Sequence, residues 1–402
     1  MTLYGALAKI SDTHGRTRRL HSMRTNLFLL WVYLTVLAMD LQSLEGAQPS
    51  QPVRLLVVTV TTGFRHGSIE SAEPVLEKIG RESGLFHPTF LRLPAGRPSR
   101  PRAPKRTPTT TDTEWAKQQD AFEEAKKSFQ LKDAPWQQTL KDQFATAFQE
   151  STLEWIDGVM FVNTTGNLPI PDLQGFLNWL KSGKAFIGMH AATDTLKSSD
   201  AYVEMIGGSF AGHPWGGGGE HGFVNHEINH PVVNMFPERF RWKDEIYQYD
   251  TRFNPSDLRV LLSIDMAASS PQEPWHVPVS WIRTYGQGRV FYTNLGHNAA
   301  TWENDVFQSH ILSGIRWALG QSDAPSAPNP TIQSNEYVRS VLPAAAIALG
   351  DNHDALRAQA DEKMRNEPNW STTLRPSLVE IRSMDRDKRN AAYQAFIDML
   401  RE

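Results

Sequence analysis

Three short apolar runs, each ending in a polar loop, limit what this chain can fold into more than any other feature. Val53–Val60 leads into Thr61–Gly67, Ile156–Val162 into Asn163–Gly166, and Lys184–Met189 stops at His190. Runs this short and this apolar are strands buried on both faces. Helical segments separate them. Ser68 caps one whose apolar positions Ala72, Val75, Leu76 and Ile79 keep a 3.6-residue period, and Asp172 opens another through Lys181. A further strand is expected over His87–Leu93. The alternation predicts an α/β fold, a mostly parallel sheet flanked by helices. Ligands of such sheets bind beyond the carboxyl ends of the strands. Those ends carry Thr61–His66, Asn163–Gly166 and His190–Asp194.

The flanks differ from this core. Leu27–Met39 is an apolar stretch of 13 residues, preceded by Arg24 and followed by Gly46-Ala47. It is too short for a membrane span, which needs about 20 residues, and has the layout of a secretory signal. Residues 1–47 are therefore expected to be an extension plus signal peptide, with Met23 as the start. The mature protein is then exported, periplasmic or secreted, with no membrane span. Residues 94–150 form an insertion. Its first part, 94–111, holds five prolines and five basic residues and no acid. The remainder reads as two helices broken at Pro135. Val279–Tyr285 and Arg289–Thr293 flank a Gly286-Gln-Gly288 turn and read as a hairpin, and a helix follows over Val306–Leu319. The main domain is expected to span 53–320, a linker 321–335 and a helical tail 336–402.

Candidate chemistry rests on histidine. Five of the 13 histidines fall between 190 and 230: His190, His213, His221, His226 and His230. Chance would place about one there, so the excess marks a site. The glycine-rich segment around His213 and His221 lets backbone approach a ligand closely. His66, His190 and His297 all follow strand ends, which a parallel sheet brings to one edge. Imidazole serves as a metal ligand or as an acid/base near neutral pH. Asp194 lies four residues after His190 and could orient it; Arg65 is a candidate anion contact. Trp242–Tyr249 alternates so that a strand would present Glu245, Tyr247 and Tyr249 on one face. Trp215, Trp242, Trp275 and Trp302 are candidate surfaces for stacking on a sugar, or simply packing.

Val53–Gly320 resembles the ThuA-like, or trehalose-utilisation, family. The segments that carry the resemblance are Thr61–His66, Phe161–Gly166, Gly188–Asp194, His213-Pro, Asp244–Tyr247, Asn294–His297 and Gly314–Ala318. It implies a class I glutamine amidotransferase-like, flavodoxin-like fold and a role in carbohydrate metabolism, with links to disaccharides and 3-keto sugars. In amidotransferases a cysteine occupies the turn where His190 stands here, and His297 is placed like its histidine partner. This chain has no cysteine, so glutaminase chemistry is excluded, as are thiolate metal sites and disulfides.

Two functions remain open from sequence. One is an exported enzyme acting on a disaccharide, glycoside or 3-keto sugar by histidine acid/base or metal-assisted chemistry. There His190, Asp194, His297 and Glu245 would be catalytic. His66, Arg65, Asn163, Thr164, Thr165, Trp215 and Tyr247 would bind substrate, and His190, His213 and Glu245 would hold a divalent metal, zinc or manganese. The other is a non-catalytic sugar-binding or scaffold protein partnering a sugar oxidoreductase. A net charge of −3 gives no footprint for nucleic acid.

Overall fold

The computed structural model describes residues 52–402; the expected leader, with Met23, Leu27–Met39 and Ala47, lies outside the described residues. In order, the elements are β1 (Val53–Val58), α1 (Ile69–Ser83), β2 (Phe86–Leu91), α2 (Asp112–Ala147), β3 (Gly158–Val162), α3 (Leu173–Lys181), β4 (Ala185–Met189) and α4 (Asp200–Ile206). There follow β5 (Glu220–Asn225), β6 (Arg239–Lys243), β7 (Arg259–Ile264), β8 (Pro278–Tyr285), β9 (Gly288–Thr293) and α5 (Asp305–Ala318). Helices α6 (Pro330–Leu349), α7 (His353–Asn366), α8 (Trp370–Ile381) and α9 (Arg386–Arg401) complete the chain.

One nine-stranded sheet runs β2-β1-β3-β4-β9-β8-β7-β5-β6. Its first five strands are parallel, and the β8–β9 hairpin turns the rest antiparallel. The mixed sheet follows from loop length. The connections into β2, β3 and β4 leave room for crossovers, whereas the Gly286-Gln-Gly288 turn into β9 allows only a hairpin. Successive residues of β1 feed opposite cores. Leu55 and Val57 pack with α1 and α5, while Leu56 and Val58 pack with α3, α4 and the end of α2. This two-sided burial is why the strands read as unbroken apolar runs.

Helix α2 is continuous through Pro135, not two helices. Pro135 removes one helical hydrogen bond, to the carbonyl of Leu131. Both residues are exposed, so water satisfies that carbonyl and the helix continues. Along α2, Trp115, Phe122, Phe129 and Trp136 recur every seventh residue. The first three are half-buried within an otherwise exposed stretch, as are Pro98, Pro101 and Pro104 of the preceding segment. The Pro-rich segment runs antiparallel to α2 and is fastened at both ends. Trp136 Nε1 donates to the carbonyl of Pro94 (3.0 Å), Arg97 lies over the Trp136 ring, and Arg106 pairs with Asp112.

The C-terminal helices bury a core of their own, including Val338, Val341, Leu356, Leu378 and Phe396. They are tied to the sheet by Gln333, which donates to the carbonyl of Leu258, and by Arg382, which donates to that of Tyr249. Helix α6 begins at Pro330, so the expected linker boundary at 335 falls inside it. No helix among the described residues is long and apolar enough to cross a membrane.

Candidate functional site

Parallel β1, β4 and β9 end at one edge, and each delivers a histidine there: His66, His190 and His297. Their ring centroids form a near-equilateral triangle of 5.0, 5.1 and 5.2 Å, with planes close to perpendicular. Glu245 enters from the segment after β6. One donor atom from each of the four lies within 4.8 Å of all the others. His297 Nδ1 is 3.1 Å from Glu245 Oε2 and 3.2 Å from His190 Nε2, and His190 Nε2 is 3.6 Å from the same oxygen. A tetrahedral ion with bonds of about 2.0–2.1 Å holds its donors about 3.3 Å apart and its imidazole centroids about 5.2 Å apart. The three ring centroids fit the second spacing, and the distances among His190, Glu245 and His297, 3.1–3.6 Å, fit the first.

Local structure fixes these groups. His190 takes a left-handed φ of 42° directly after β4, and its ring is fully buried. Its Nδ1 faces the carbonyl of Asn294, which can only accept, so the proton is on Nδ1 and the Nε2 lone pair points into the cluster. Asp244, also fully buried, accepts from the backbone N–H groups of Glu245 (3.1 Å), Gly296 (2.7 Å) and Asn298 (2.8 Å). It thereby locks the loop carrying His297 to the one carrying Glu245. His66 has a buried Nδ1 with no partner, while its Nε2 meets the Tyr247 hydroxyl at 3.3 Å.

Electrostatics divide the group. Burial, with the neighbouring His190 and His297, drives His66 down to about 3. Burial alone would raise Glu245, yet hydrogen bonds from His190 and His297 hold it well below the carboxylate range. Burial works against a charged His297, but Glu245 prevails and raises its pKa. A carboxylate kept ionised beside His66, which burial keeps neutral, is a set that can bind a cation.

The remaining expected residues divide. His213 is exposed and its Nδ1 lies 3.3 Å from Glu245 Oε1, the oxygen turned away from the other histidines. The Tyr247 ring packs against His190, centroids 4.2 Å apart and planes tilted by 40°. Asp194 pairs with Lys197 (2.9 Å) instead of orienting His190, a task performed by the Asn294 carbonyl. Asn163, Thr164 and Thr165 are buried and brace loops: Asn163 donates to Ser68 and Gly296, Thr164 bonds Thr195, and Thr165 donates to the Phe64 carbonyl. Ser68 does not cap α1 through its side chain, since its hydroxyl donates to the Gly296 carbonyl. Arg65 is exposed and donates to the Thr59 carbonyl. Trp215 and Trp302 are buried, and Arg382 covers Trp275. His221, His226 and His230 hydrogen-bond Gly216, Ser263 and Pro325 away from the centre. The expected Glu245–Tyr249 strand is absent because β6 ends at Lys243. Single bridges from Ile246 to Trp215 and from Tyr249 to Phe210 guide the chain beyond it. Asp244 and Asn294, the two residues that set the geometry, were not among the expected site residues.

A family model described as trehalose utilisation, ThuA, matches residues 54–318. Among solved structures, one described as ThuA-like from Bacteroides uniformis is similar at 17% identity and a TM-score of 0.46, covering 68% of this chain and 94% of its own. Another so described, from Parabacteroides merdae, shares 18% identity at a TM-score of 0.44, covering 69% and 98%. No curated protein matches the sequence significantly.

Proposed function

The chain belongs to the ThuA, trehalose-utilisation, family, and from that premise we propose that it is an enzyme acting on a disaccharide, glycoside or 3-keto sugar at a divalent metal centre. The observation that supports this is the convergence of His66, His190, Glu245 and His297 within 4.8 Å. These four residues would hold zinc or manganese, which would supply Lewis-acid polarisation of a keto or hydroxyl oxygen of the sugar. A polarised keto group acidifies the neighbouring C–H, so one positioned imidazole suffices as base. His213 suits that role: it is exposed, and Glu245 Oε1 orients it. A two-carboxylate glycosidase mechanism fits poorly, since Glu245 is the sole carboxylate in the cluster. Export belongs to the same proposal and is checked by sequencing the N-terminus of the mature protein.

The test is elemental analysis of the purified protein, followed by assay of 3-keto glycosides and disaccharides with and without chelator. One zinc or manganese per chain and turnover that chelation abolishes are expected. Turnover indifferent to both chelator and His190→Asn would overturn the proposal.

A further inference from the structure

The insertion builds a cavity of its own, apart from the histidine cluster. Ala145, Phe148 and Glu150, near its end, face Asp172, Phe176 and Trp179 of α3 and its cap across about 610 Å³, and no residue of the cluster lines the space. Two contacts hold the walls together. Trp179 Nε1 donates to the Leu153 carbonyl (3.0 Å), and the Phe148 ring meets Phe176 edge to face with centroids 5.2 Å apart. Phe148, Leu153 and Phe176 are buried and form an apolar floor. The volume lies within the range of small-molecule sites, about 300–1,000 Å³.

The rim carries charge of one sign. Glu150, Glu154 and Asp172 are exposed at the edge of the cavity, and no lysine, arginine or histidine lines it. None of the three carboxylates makes an ion pair among the described residues. Lys184 reaches the Trp179 ring but is held by the Ile156 carbonyl (2.6 Å) and by Asp157 (3.8 Å). Asp172 is fixed in place: its Oδ1 accepts from the Gly175 N–H (2.8 Å), and a Cβ on Gly175 would collide with its Oδ2. Carboxylates gathered at the edge of an apolar surface attract a cation. An inorganic ion does not fit. Among the described residues, only the histidine cluster brings three or more carboxylates and imidazoles close enough to share one. A cation that reaches separated carboxylates and also covers an apolar floor is organic, with a hydrophobic body.

We propose that this cavity is a binding site for a small organic cation, an ammonium group carried on an aromatic or alkyl body. The ammonium lies among Glu150, Glu154 and Asp172, and the body covers Phe148, Leu153 and Phe176. The test uses the full chain, calorimetry and three probes that share one body: phenylbutylamine, phenylbutanol and phenylbutyrate. The amine binds about tenfold more tightly than the alcohol, and the butyrate more weakly than either. The double variant Glu150→Gln/Glu154→Gln brings the amine to within about twofold of the alcohol. The alcohol's affinity and the melting temperature hold, since both positions are exposed. Ala145→Trp, which fills the cavity from an exposed position, weakens amine and alcohol alike. An amine that does not bind, or binds no better than the alcohol, overturns the proposal. So does an advantage that survives the double variant, or an amine affinity untouched by Ala145→Trp at unchanged melting temperature.

Discussion

His190 Nδ1 lies 2.7 Å from the backbone carbonyl oxygen of Asn294. This bond joins the ends of two adjacent parallel strands and sets the tautomer that leaves Nε2 free to bind a metal. Because the partner is backbone, no substitution at 294 removes it, and the sensitive position is His190 itself. His190→Asn keeps a residue that accepts the left-handed φ of 42°. It should lower metal affinity at least 100-fold with little loss of stability. His190→Ala should lose a further ~1 kcal/mol to backbone strain. Metal titration beside denaturant melts separates the two effects, and equal metal affinity in wild type and His190→Asn would sink the centre.

Asp244 acts on the same site without touching the cluster. Its two oxygens accept three backbone N–H groups from the segments that carry Glu245 and His297. Asp244→Asn must turn an amide NH2 toward at least one of those donors, and a buried hydrogen bond to a charged group is worth about 1.5–3 kcal/mol. A stability loss of about 3 kcal/mol is expected, with metal affinity reduced at least tenfold because His297 is no longer held. Chemical denaturation of the metal-free protein isolates the first effect. A fully stable variant would mean that the loops are held by other contacts.

The sequence carried the sheet and most of the site for one physical reason. Strands buried on both faces must be apolar along their length, so their ends, and the polar residues placed there, are visible in one dimension. His66, His190 and His297 are legible that way. Glu245 was reached through a strand that does not exist: alternation continues to Tyr249, but pairing stops at Lys243. Residue type alone does not show that Asn163, Thr164 and Thr165 are buried and hydrogen-bonded between loops. Sequence proximity of Asp194 to His190 says nothing of which way its side chain turns in the 3₁₀ turn His190–Asp194, where it pairs with Lys197. Asp244 was invisible as an organiser because its partners, Gly296 and Asn298, are over 50 residues away.

Glu336 makes stability fall with rising pH. It is buried in α6, and burial raises its pKa to about 7 against the opposing pull of Arg339, Arg357 and Arg239, with Asp265 adding to the rise. In the unfolded chain it titrates near 4.5. Between these two values the native state holds a proton that the unfolded state has lost, so raising the pH favours unfolding. The contribution is fully present below pH 4.5 and lost as pH passes 7, a change of about 3 kcal/mol at most. Glu336→Gln stays neutral throughout. The difference between wild type and variant, followed by denaturation from pH 4.5 to 7.5, should change by that amount. Parallel curves would show that Glu336 is ionised in the folded protein.

Gly314 sits where α5 meets β9, and a Cβ there would fall 2.1 Å from the Phe291 ring. Helix propensity favours Ala over Gly by about 1 kcal/mol. Overpacking a close-packed core costs about 1–3 kcal/mol or more, and the Phe291 ring is fully buried with no free direction to move. The clash prevails. Gly314→Ala should destabilise by about 2 kcal/mol, visible as a lowered denaturation midpoint with unchanged slope. A neutral or stabilising outcome would mean that the helix can shift outward at little cost.

The insertion divides at Trp136, between an arm and the core. Beyond this residue α2 buries Leu140 and Phe144 beneath the sheet; before it, Trp115, Phe122 and Phe129 are only half-buried, and Leu131 is 78% exposed. The Trp136 Nε1 bond to the Pro94 carbonyl, 3.0 Å long, places the two ends of the arm side by side. A short Gly-Ser linker can therefore replace residues 96–134 without stretching the chain. Since the arm contributes no residue to either core cluster on the sheet before Trp136, its removal should leave the melting temperature within a few degrees and metal content unchanged. Trp136→Ala in the intact chain should cost about 3 kcal/mol or more, because it empties a core position as well as releasing Pro94. Calorimetry of the two variants makes the comparison. A shortened protein that fails to fold, beside a mild Trp136→Ala, would place the structural boundary inside the arm instead.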